Sequence, residues 1–308
     1  MSEAVGTVGR TTPVDDRVGT CGHGGEGDAM RFGIVGTFGT VDQLVGLAAE
    51  AEDAGWDGYF TWDGVDIGVD GDVWDPWAVL AAAAVRTERI TLGALVFALP
   101  RRRPWVVARQ ALTVDHLSGG RLVIPAGLGV PVDRAFTGVE GELTSTRERA
   151  ELLDDHLAIL DLAFGGETFS YQGTHHHVTD LRFRLRPVQR PRVPIWVVGA
   201  YPSERSMGRA VRYDGLVPQL RGDRAMDELG PAEVAEIAAW VREHRAPDAG
   251  PYEIVLQGVL PADPAEAQDH AAALAEAGAT WFVESRWEGP GSTYEALAER
   301  VRQGVPRG

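Results

Sequence analysis

The sequence predicts a single α/β domain, a (β/α)8 TIM barrel. Three observations predict it. Eight apolar runs alternate with helical patterns along the chain, which is the signature of a parallel barrel. The runs are nearly continuous in apolar residues, as expected for strands buried on both faces. The open doubly wound alternative asks for GxGxxG after the first strand, whereas residues 36–40 read Gly-Thr-Phe-Gly-Thr. A chain of 308 residues accommodates one such barrel.

Residues 1–29 are rich in Gly, Thr and Asp and poor in apolar side chains. They read as a disordered tail, with the barrel over 30–308 and Met30 as an alternative start. Strands are expected at 32–36, 58–62, 90–97, 121–126, 194–199, 214–218, 253–259 and 280–284. The first helix, 41–54, carries Leu44, Leu47, Ala48 and Ala51 on one face and stops at Gly55. Asp75-Pro76 opens the second with an N-cap and a proline at the first helical position. Pro104 opens the third, which stops at Gly119-Gly120. Asp115 and Arg121 flank that stop and are expected to pin the turn. A long amphipathic helix follows over 146–164, then helices over 203–212, 231–244, 264–277 and 293–302. Residues 165–192 break the alternation. Phe169, Tyr171, Gly173, the stretch 178–185 and a Pro-rich run read as a hairpin inserted before the fifth strand, either a lid over the mouth or surface decoration.

Composition removes whole classes of function. The formal net charge is −16, which disfavours nucleic-acid and anionic-membrane partners. All 29 basic residues are Arg, so Schiff-base chemistry through Lys is excluded. The single cysteine, Cys21, allows no internal disulfide. The longest apolar runs are too short for a bilayer and no secretory pattern opens the chain, so a cytoplasmic protein is expected.

Barrel active sites lie where strands end. No His stands at an expected strand end, and His175-His176-His177 alternate faces if extended, so no metal site is expected. Asp63 and Glu284 are the two carboxylates placed for a glycosidase, and that reading stays open. The remaining strand ends offer Gly, Ala, Thr and aromatics, which suits a flat aromatic cofactor carrying its own reactivity.

The motifs Asp75-Pro-Trp77, Thr87-Glu-Arg-Ile-Thr-Leu-Gly93, Leu99-Pro-Arg-Arg-Arg-Pro104, Ala108-Arg-Gln-Ala-Leu-Thr-Val-Asp115 and Leu117-Ser-Gly-Gly-Arg-Leu122 follow in order. Arg186-Pro-Val-Gln-Arg-Pro191, Pro194-Ile-Trp-Val-Val-Gly-Ala200, Arg209-Ala-Val-Arg-Tyr-Asp-Gly215 and Glu276-Ala-Gly-Ala-Thr-Trp281 come after them. This succession, spanning 30–305, resembles the bacterial luciferase-like monooxygenase family of FMN- or F420-dependent oxidoreductases. The resemblance implies FMN or F420 at the barrel mouth and a small-molecule substrate. It also implies a separate flavin reductase if FMN is used, and it allows for a homodimer. Chemistry would be oxidation with reduced FMN and oxygen, or hydride transfer with F420.

The resemblance further implies that Gly199, Ala200, Tyr201 and Ser203 help hold the cofactor phosphate, with a plain helix cap by Ser203 as the rival reading. Thr37, Phe97, Gly127 and Gly129 are the strand-end residues expected to line the cofactor. Trp62 is the expected apolar wall, and Asp63 the expected hydrogen-bond or proton acceptor or, alternatively, a cap for loop 64–72. Two positions depart from the family pattern: Gly64 follows Asp63 where many relatives carry His, and Leu128 stands where luciferase-type members carry a phosphate-binding Arg. Both departures leave F420 open beside FMN. A non-catalytic flavin-binding barrel is the third reading.

Overall fold

Strand β1 (Arg31–Val35) begins a sheet whose strands lie in the order β3-β2-β1-β11-β10-β9-β8-β5-β4, all parallel. The remaining strands of that sheet are β2 (Gly58–Thr61), β3 (Thr91–Ala94), β4 (Phe97–Ala98), β5 (Ile124–Gly127), β8 (Ile195–Tyr201), β9 (Gly215–Leu220), β10 (Glu253–Gly258) and β11 (Trp281–Glu284). The computed structural model describes residues 29–306 apart from Asp70, Met226 and Pro247. The expected tail lies outside the described residues except for Ala29.

The expected third strand is present in two pieces. β3 pairs with β2, β4 pairs with β5, and a parallel bridge joins Leu92 to Leu122. Joined in this way, the two pieces close eight barrel strands into a ring. The helices are α1 (Val41–Asp53), α2 (Pro76–Ala84), α3 (Pro104–Ser118), α4 (Arg134–Thr137), α5 (Thr146–Phe164), α6 (Glu204–Ala210), α7 (Pro231–His244), α8 (Pro264–Glu276) and α9 (Tyr294–Arg302). Their starts follow the local chemistry: Thr40 forms a capping box on α1, and Asp75 and Asp263 cap α2 and α8 ahead of prolines. Helix α3 ends on Gly119 in the left-handed region (φ 67°). The short α4 was not expected from the sequence. Among the described residues no helix is long and apolar enough to cross a membrane.

Strand alternation sorts the core into two layers. Phe32, Ile34, Tyr59, Leu92, Phe97, Ile124 and Phe282 face outward and pack under the helices. Val35, Phe60, Trp62, Leu95, Val123, Trp196, Val217, Val255, Trp281 and Val283 fill the inside. The inner floor is an aromatic plug, with ring centroids 5.9 Å apart for Phe60–Trp196, 6.1 Å for Phe60–Trp281 and 5.5 Å for Trp196–Trp281. Its own strand and both neighbours make room for Phe60 by carrying glycine. A methyl at Gly33 would lie 2.7 Å from the Phe60 ring, one at Gly58 2.6 Å and one at Gly93 3.1 Å. The plug fills the N-terminal half of the barrel, and the inward-facing residues that keep exposure stand at the C-terminal ends of the strands.

The insertion before the fifth barrel strand is an antiparallel hairpin, β6 (Thr168–Gln172) and β7 (His177–Arg182). Its tip docks on α5 and, through His176 against Trp105 with ring centroids 5.6 Å apart, on the start of α3. Asp155 accepts the Tyr171 hydroxyl (2.9 Å) and the backbone N–H groups of Thr174, His175 and His176 (3.2, 2.7 and 2.9 Å). His156 Nε2 lies 2.9 Å from His176 Nε2 with the rings stacked. His175 instead lies beside Glu151, and His177 pairs with Gln172 across the hairpin. Burial pushes the His156 imidazole down to about 3 and also lowers His176. Asp115 accepts Val188 N–H (2.5 Å) and the Gln189 amide (2.8 Å), fixing the chain that returns from the hairpin.

Candidate active site at the barrel mouth

The inward-facing residues that retain solvent exposure trace the opening. They are Phe38, Val96, Val198, Ala200, Gln219, Gln257 and Trp287, which sit at or just beyond the ends of six barrel strands. Gln219 is exposed although the rest of β9 is buried. The outward face of that strand lies under helices, so this exposure looks into the mouth. All seven side chains are uncharged.

Trp62 stands on this wall as expected, 7% exposed. Its Nε1 donates to the Thr37 carbonyl (2.6 Å), and its ring meets Phe38 and Trp287 edge-on at 5.9 and 5.5 Å. Thr37 is fully buried on the inner face, and its hydroxyl has no hydrogen-bond partner among the described residues. A buried polar atom left unpaired is costly, so this hydroxyl marks a place for a ligand's polar group. Gly127 also faces inward, where a methyl would lie 2.7 Å from Val96 and 3.1 Å from Val198.

The other expected site residues lie elsewhere. Phe97 faces outward, fully buried, and stacks on Trp77 of α2 at 4.3 Å. A methyl at Gly199 would strike Leu216 (2.4 Å) and Met207 (2.9 Å), so its lack of a side chain serves the packing of α6. Tyr201 packs against the outer layer. Gly129 adopts φ 75° under Phe136 at the rim. Ser203 caps α6, accepting Ser206 N–H at 3.4 Å, while the Ser206 hydroxyl accepts Ala200 N–H at 3.0 Å. The cap reading of Ser203 therefore has its geometry.

Asp63 follows Trp62, so alternation turns it outward, away from the mouth. Its side chain is buried at 1% exposure. Oδ1 accepts Arg101 Nη2 (3.0 Å) and Arg102 Nη2 (2.7 Å); Oδ2 accepts Arg102 Nε and the Ala98 N–H, each at 3.0 Å. A carboxylate has about four acceptor sites, and all are taken. Nothing is left to take a substrate proton, and among the described residues no bond runs from Asp63 to the N–H groups of loop 64–72. Arg101 also pairs with Asp133, which in turn accepts the N–H groups of Val65, Asp66 and Ala135 at 3.0–3.1 Å. Burial pushes the Asp133 carboxyl up, but those N–H groups and Arg101 outweigh it and hold it below its usual range. Burial likewise lowers Arg102, but Asp63 and Asp75 outweigh it and raise its pKa. This network ties three rim segments together around a cavity of about 270 Å³ lined in part by Val65, Arg101, Val139 and Glu142.

The glycosidase pair is not formed. Glu284, fully buried, also turns outward, because Val283 takes the inner face. It is held by Arg286 (2.5 Å) and Arg300 (2.8 Å). The two carboxylates neither face each other nor reach the opening. A second cavity, about 350 Å³, lies outside the barrel between α8 and α9 beside these arginines.

Sequence reasoning places Gln219 and Gln257 at strand ends without giving them a role, and it passes over Trp287. Their signal was parity. Trp281, Val283, Ser285 and Trp287 share one face of β11 and its continuation, as Val217 and Gln219 do in β9, and Val255 and Gln257 in β10. It also passed over Arg149 of α5. This guanidinium, 2% exposed, donates to the carbonyls of Leu128 and Gly129 (each 3.2 Å) and stacks on Phe136, with no carboxylate partner among the described residues. Burial lowers its pKa.

Comparison with known proteins agrees with this architecture. The family model described as luciferase-like monooxygenase matches residues 21–305. The chain is 37% identical over 131 residues to a 4-hydroxyprotoasukamycin monooxygenase of Streptomyces nodosus subsp. asukaensis, covering 42% of this chain and 34% of that protein. It is 28% identical over 211 residues to an F420-dependent glucose-6-phosphate dehydrogenase of Microbacterium testaceum, covering 65% and 61%. The chain thus spans less than two thirds of the length of either relative. In three dimensions it is similar to the coenzyme F420 dependent tetrahydromethanopterin reductase of Methanopyrus kandleri, with a TM-score of 0.71, 16% identity and coverage of 90% and 99%.

Proposed function

This chain belongs to the luciferase-like monooxygenase family, and from that premise we propose that it is an oxidoreductase working with FMN or F420 held at the barrel mouth. One observation carries the reading. The open inner wall is uncharged and carries the aromatic rings of Phe38, Trp62 and Trp287, and the carboxylates beside it, Asp63 and Glu284, are turned away and paired with arginines. A site with no free acid or base of its own suits a cofactor that brings the reactivity. FMN or F420 supplies the redox chemistry when bound, oxygen-dependent oxidation in the first case and hydride transfer in the second.

The residues fit such a group. Trp62, Phe38 and Trp287 form a rigid wall for a flat ring and exclude water behind it. The unpartnered Thr37 hydroxyl is available to a ring heteroatom. Ala200 and Gly127 keep the opposite wall small. The phosphate end is assigned to the adjoining ends of β5 and β8, near Ala200 and Ser203, where the buried Arg149 adds a positive charge beside Leu128. Asp63 acts as a positioning residue: it fixes segment 98–102, which borders the mouth. The FMN reading also calls for a separate flavin reductase as partner.

The test is titration of the purified protein with FMN and with F420, followed by tryptophan fluorescence. Saturable quenching by at least one cofactor, reduced in amplitude by Trp62→Phe, is the expected result. Quenching by neither refutes the reading, and turnover with the reduced cofactor separates an enzyme from a binder.

A further inference from the structure

We propose that this mouth takes an uncharged substrate, whose polar group is read by the side-chain amides of Gln219 and Gln257. The inference rests on the mouth being the active site and not on which cofactor it holds.

The two glutamines stand at one depth. Gln219 pairs in register with Ala200 of β8, and Gln257 with Val283 of β11. The β9–β10 register begins Glu253–Gly215, Ile254–Leu216, and carried along the strands it sets Gln257 beside Gln219. Both lie on the inner face by alternation with Val217 and Val255 of the inner core. Both retain exposure, and neither amide has a hydrogen-bond partner among the described residues. A glutamine on an otherwise apolar inner strand face costs conformational freedom and packing without a structural return here. Each amide offers a carbonyl acceptor and two N–H donors, which together match a ligand carbonyl, hydroxyl or amide. The orphan Thr37 hydroxyl, fully buried on the same inner surface, is a third uncommitted neutral group.

Charge points the same way. A charged ligand end desolvated against uncharged side chains would lack a counter-ion. Of the nearby ionic groups, Asp63, Arg101, Arg102, Glu284 and Arg286 are committed to each other or to Asp133 and Arg300, and Arg149 is held on the Leu128 and Gly129 carbonyls at the end assigned to the cofactor phosphate. Further out, the rim mixes exposed Val65, Val130, Val132 and Val139 with the exposed charges Asp66, Arg134 and Glu140. Arg221, two residues beyond Gln219, is an exposed cation further out; it is the group an anionic substrate would use.

The test compares three ligands of one shape: cyclohexanecarboxamide, cyclohexanecarboxylate and cyclohexylmethylammonium. Affinity is read from tryptophan fluorescence, on the full chain alone and after loading with whichever cofactor binds. The amide is expected to bind at least tenfold more tightly than either ion. Gln219→Leu and Gln257→Leu should each weaken the amide by about tenfold and leave the ions unchanged. Gln219→Glu should shift preference toward the ammonium. Parent-like circular dichroism and Tm in each variant keep misfolding out of the comparison. The proposal is overturned if the carboxylate binds as tightly as the amide, if the amide gives no saturable change, or if both leucine variants bind it as the parent does. Cofactor binding is scored separately, so failure of the oxidoreductase reading and failure of this one are distinct results.

Discussion

Asp63→Asn discriminates between a carboxylate that takes protons and one that holds the rim together. The change keeps shape and one oxygen but turns the other into an N–H₂ group. Both oxygens accept from arginine, so whichever becomes the amide nitrogen faces a donor. Among the described residues, Arg101 and Arg102 then share only Asp133 and the half-exposed Asp75 as paired anions. Removing one partner from a buried ion pair costs about 3–5 kcal/mol. With roughly 2 cal/mol/K of unfolding entropy per residue, a chain of this length should lose about 5–8 °C in Tm. Differential scanning calorimetry reads that directly. Arg102→Gln added to Asp63→Asn should recover part of the loss, since the two changes act on one interaction. Turnover should fall mainly because segment 98–102 is loosened, and it should recover as temperature is lowered. A variant that keeps its Tm within about 1 °C of the parent yet loses turnover a hundredfold, the size expected of a lost general base, would refute the positioning role and return Asp63 to proton transfer.

Two further outcomes follow from buried groups away from the mouth. Arg121 places its donors on Ser118 O, Thr87 O and Oγ1, Ile90 O and Ala84 O, all at 2.7–2.9 Å. Arg121→Met strands several of these acceptors, at about 1–3 kcal/mol for each one left unpaired. It should lower Tm at least as far as Asp63→Asn, with Arg121→Lys in between; an unchanged Tm in thermal denaturation sinks the argument. His156 is a base whose folded pKa, about 3, lies below the ordinary 6.5. The unfolded chain therefore binds the extra proton between those values, so stability is lost as pH falls from about 6.5 toward 3, by up to about 1.4 kcal/mol per pH unit. His156→Gln should flatten the dependence of denaturation midpoint on pH in that window relative to the parent, and equal slopes in the two proteins would contradict it.

Much of the fold was legible because its signals are local. Continuous apolar runs mark doubly buried strands, and Asp75-Pro76, Pro104 and Gly119 mark helix ends by the chemistry of one or two residues. Each of the eight expected strands has its counterpart, and the long helix and the hairpin are also present. The division of the third strand into β3 and β4 was not legible, because it depends on which neighbour each half pairs with. The candidate site was harder to read. Strand ends identify the end of the barrel that is open, but one residue of register decides which side chains enter it. Trp62, Thr37, Gly127 and Ala200 face inward, whereas Asp63 and Phe97, chosen as strand ends, and Gly199, chosen through the resemblance, face outward.

By itself, then, the sequence determined the barrel class, the order of its elements and the kinship carried by its ordered motifs, all properties of patterns running along the chain. Only the tertiary structure decided that Arg101 and Arg102 meet Asp63, that Arg300 meets Glu284, and that Gln219 and Gln257 stand free at one depth. Those partners come from segments far apart in sequence, and whether a buried carboxylate has a vacant lone pair depends on everything packed around it.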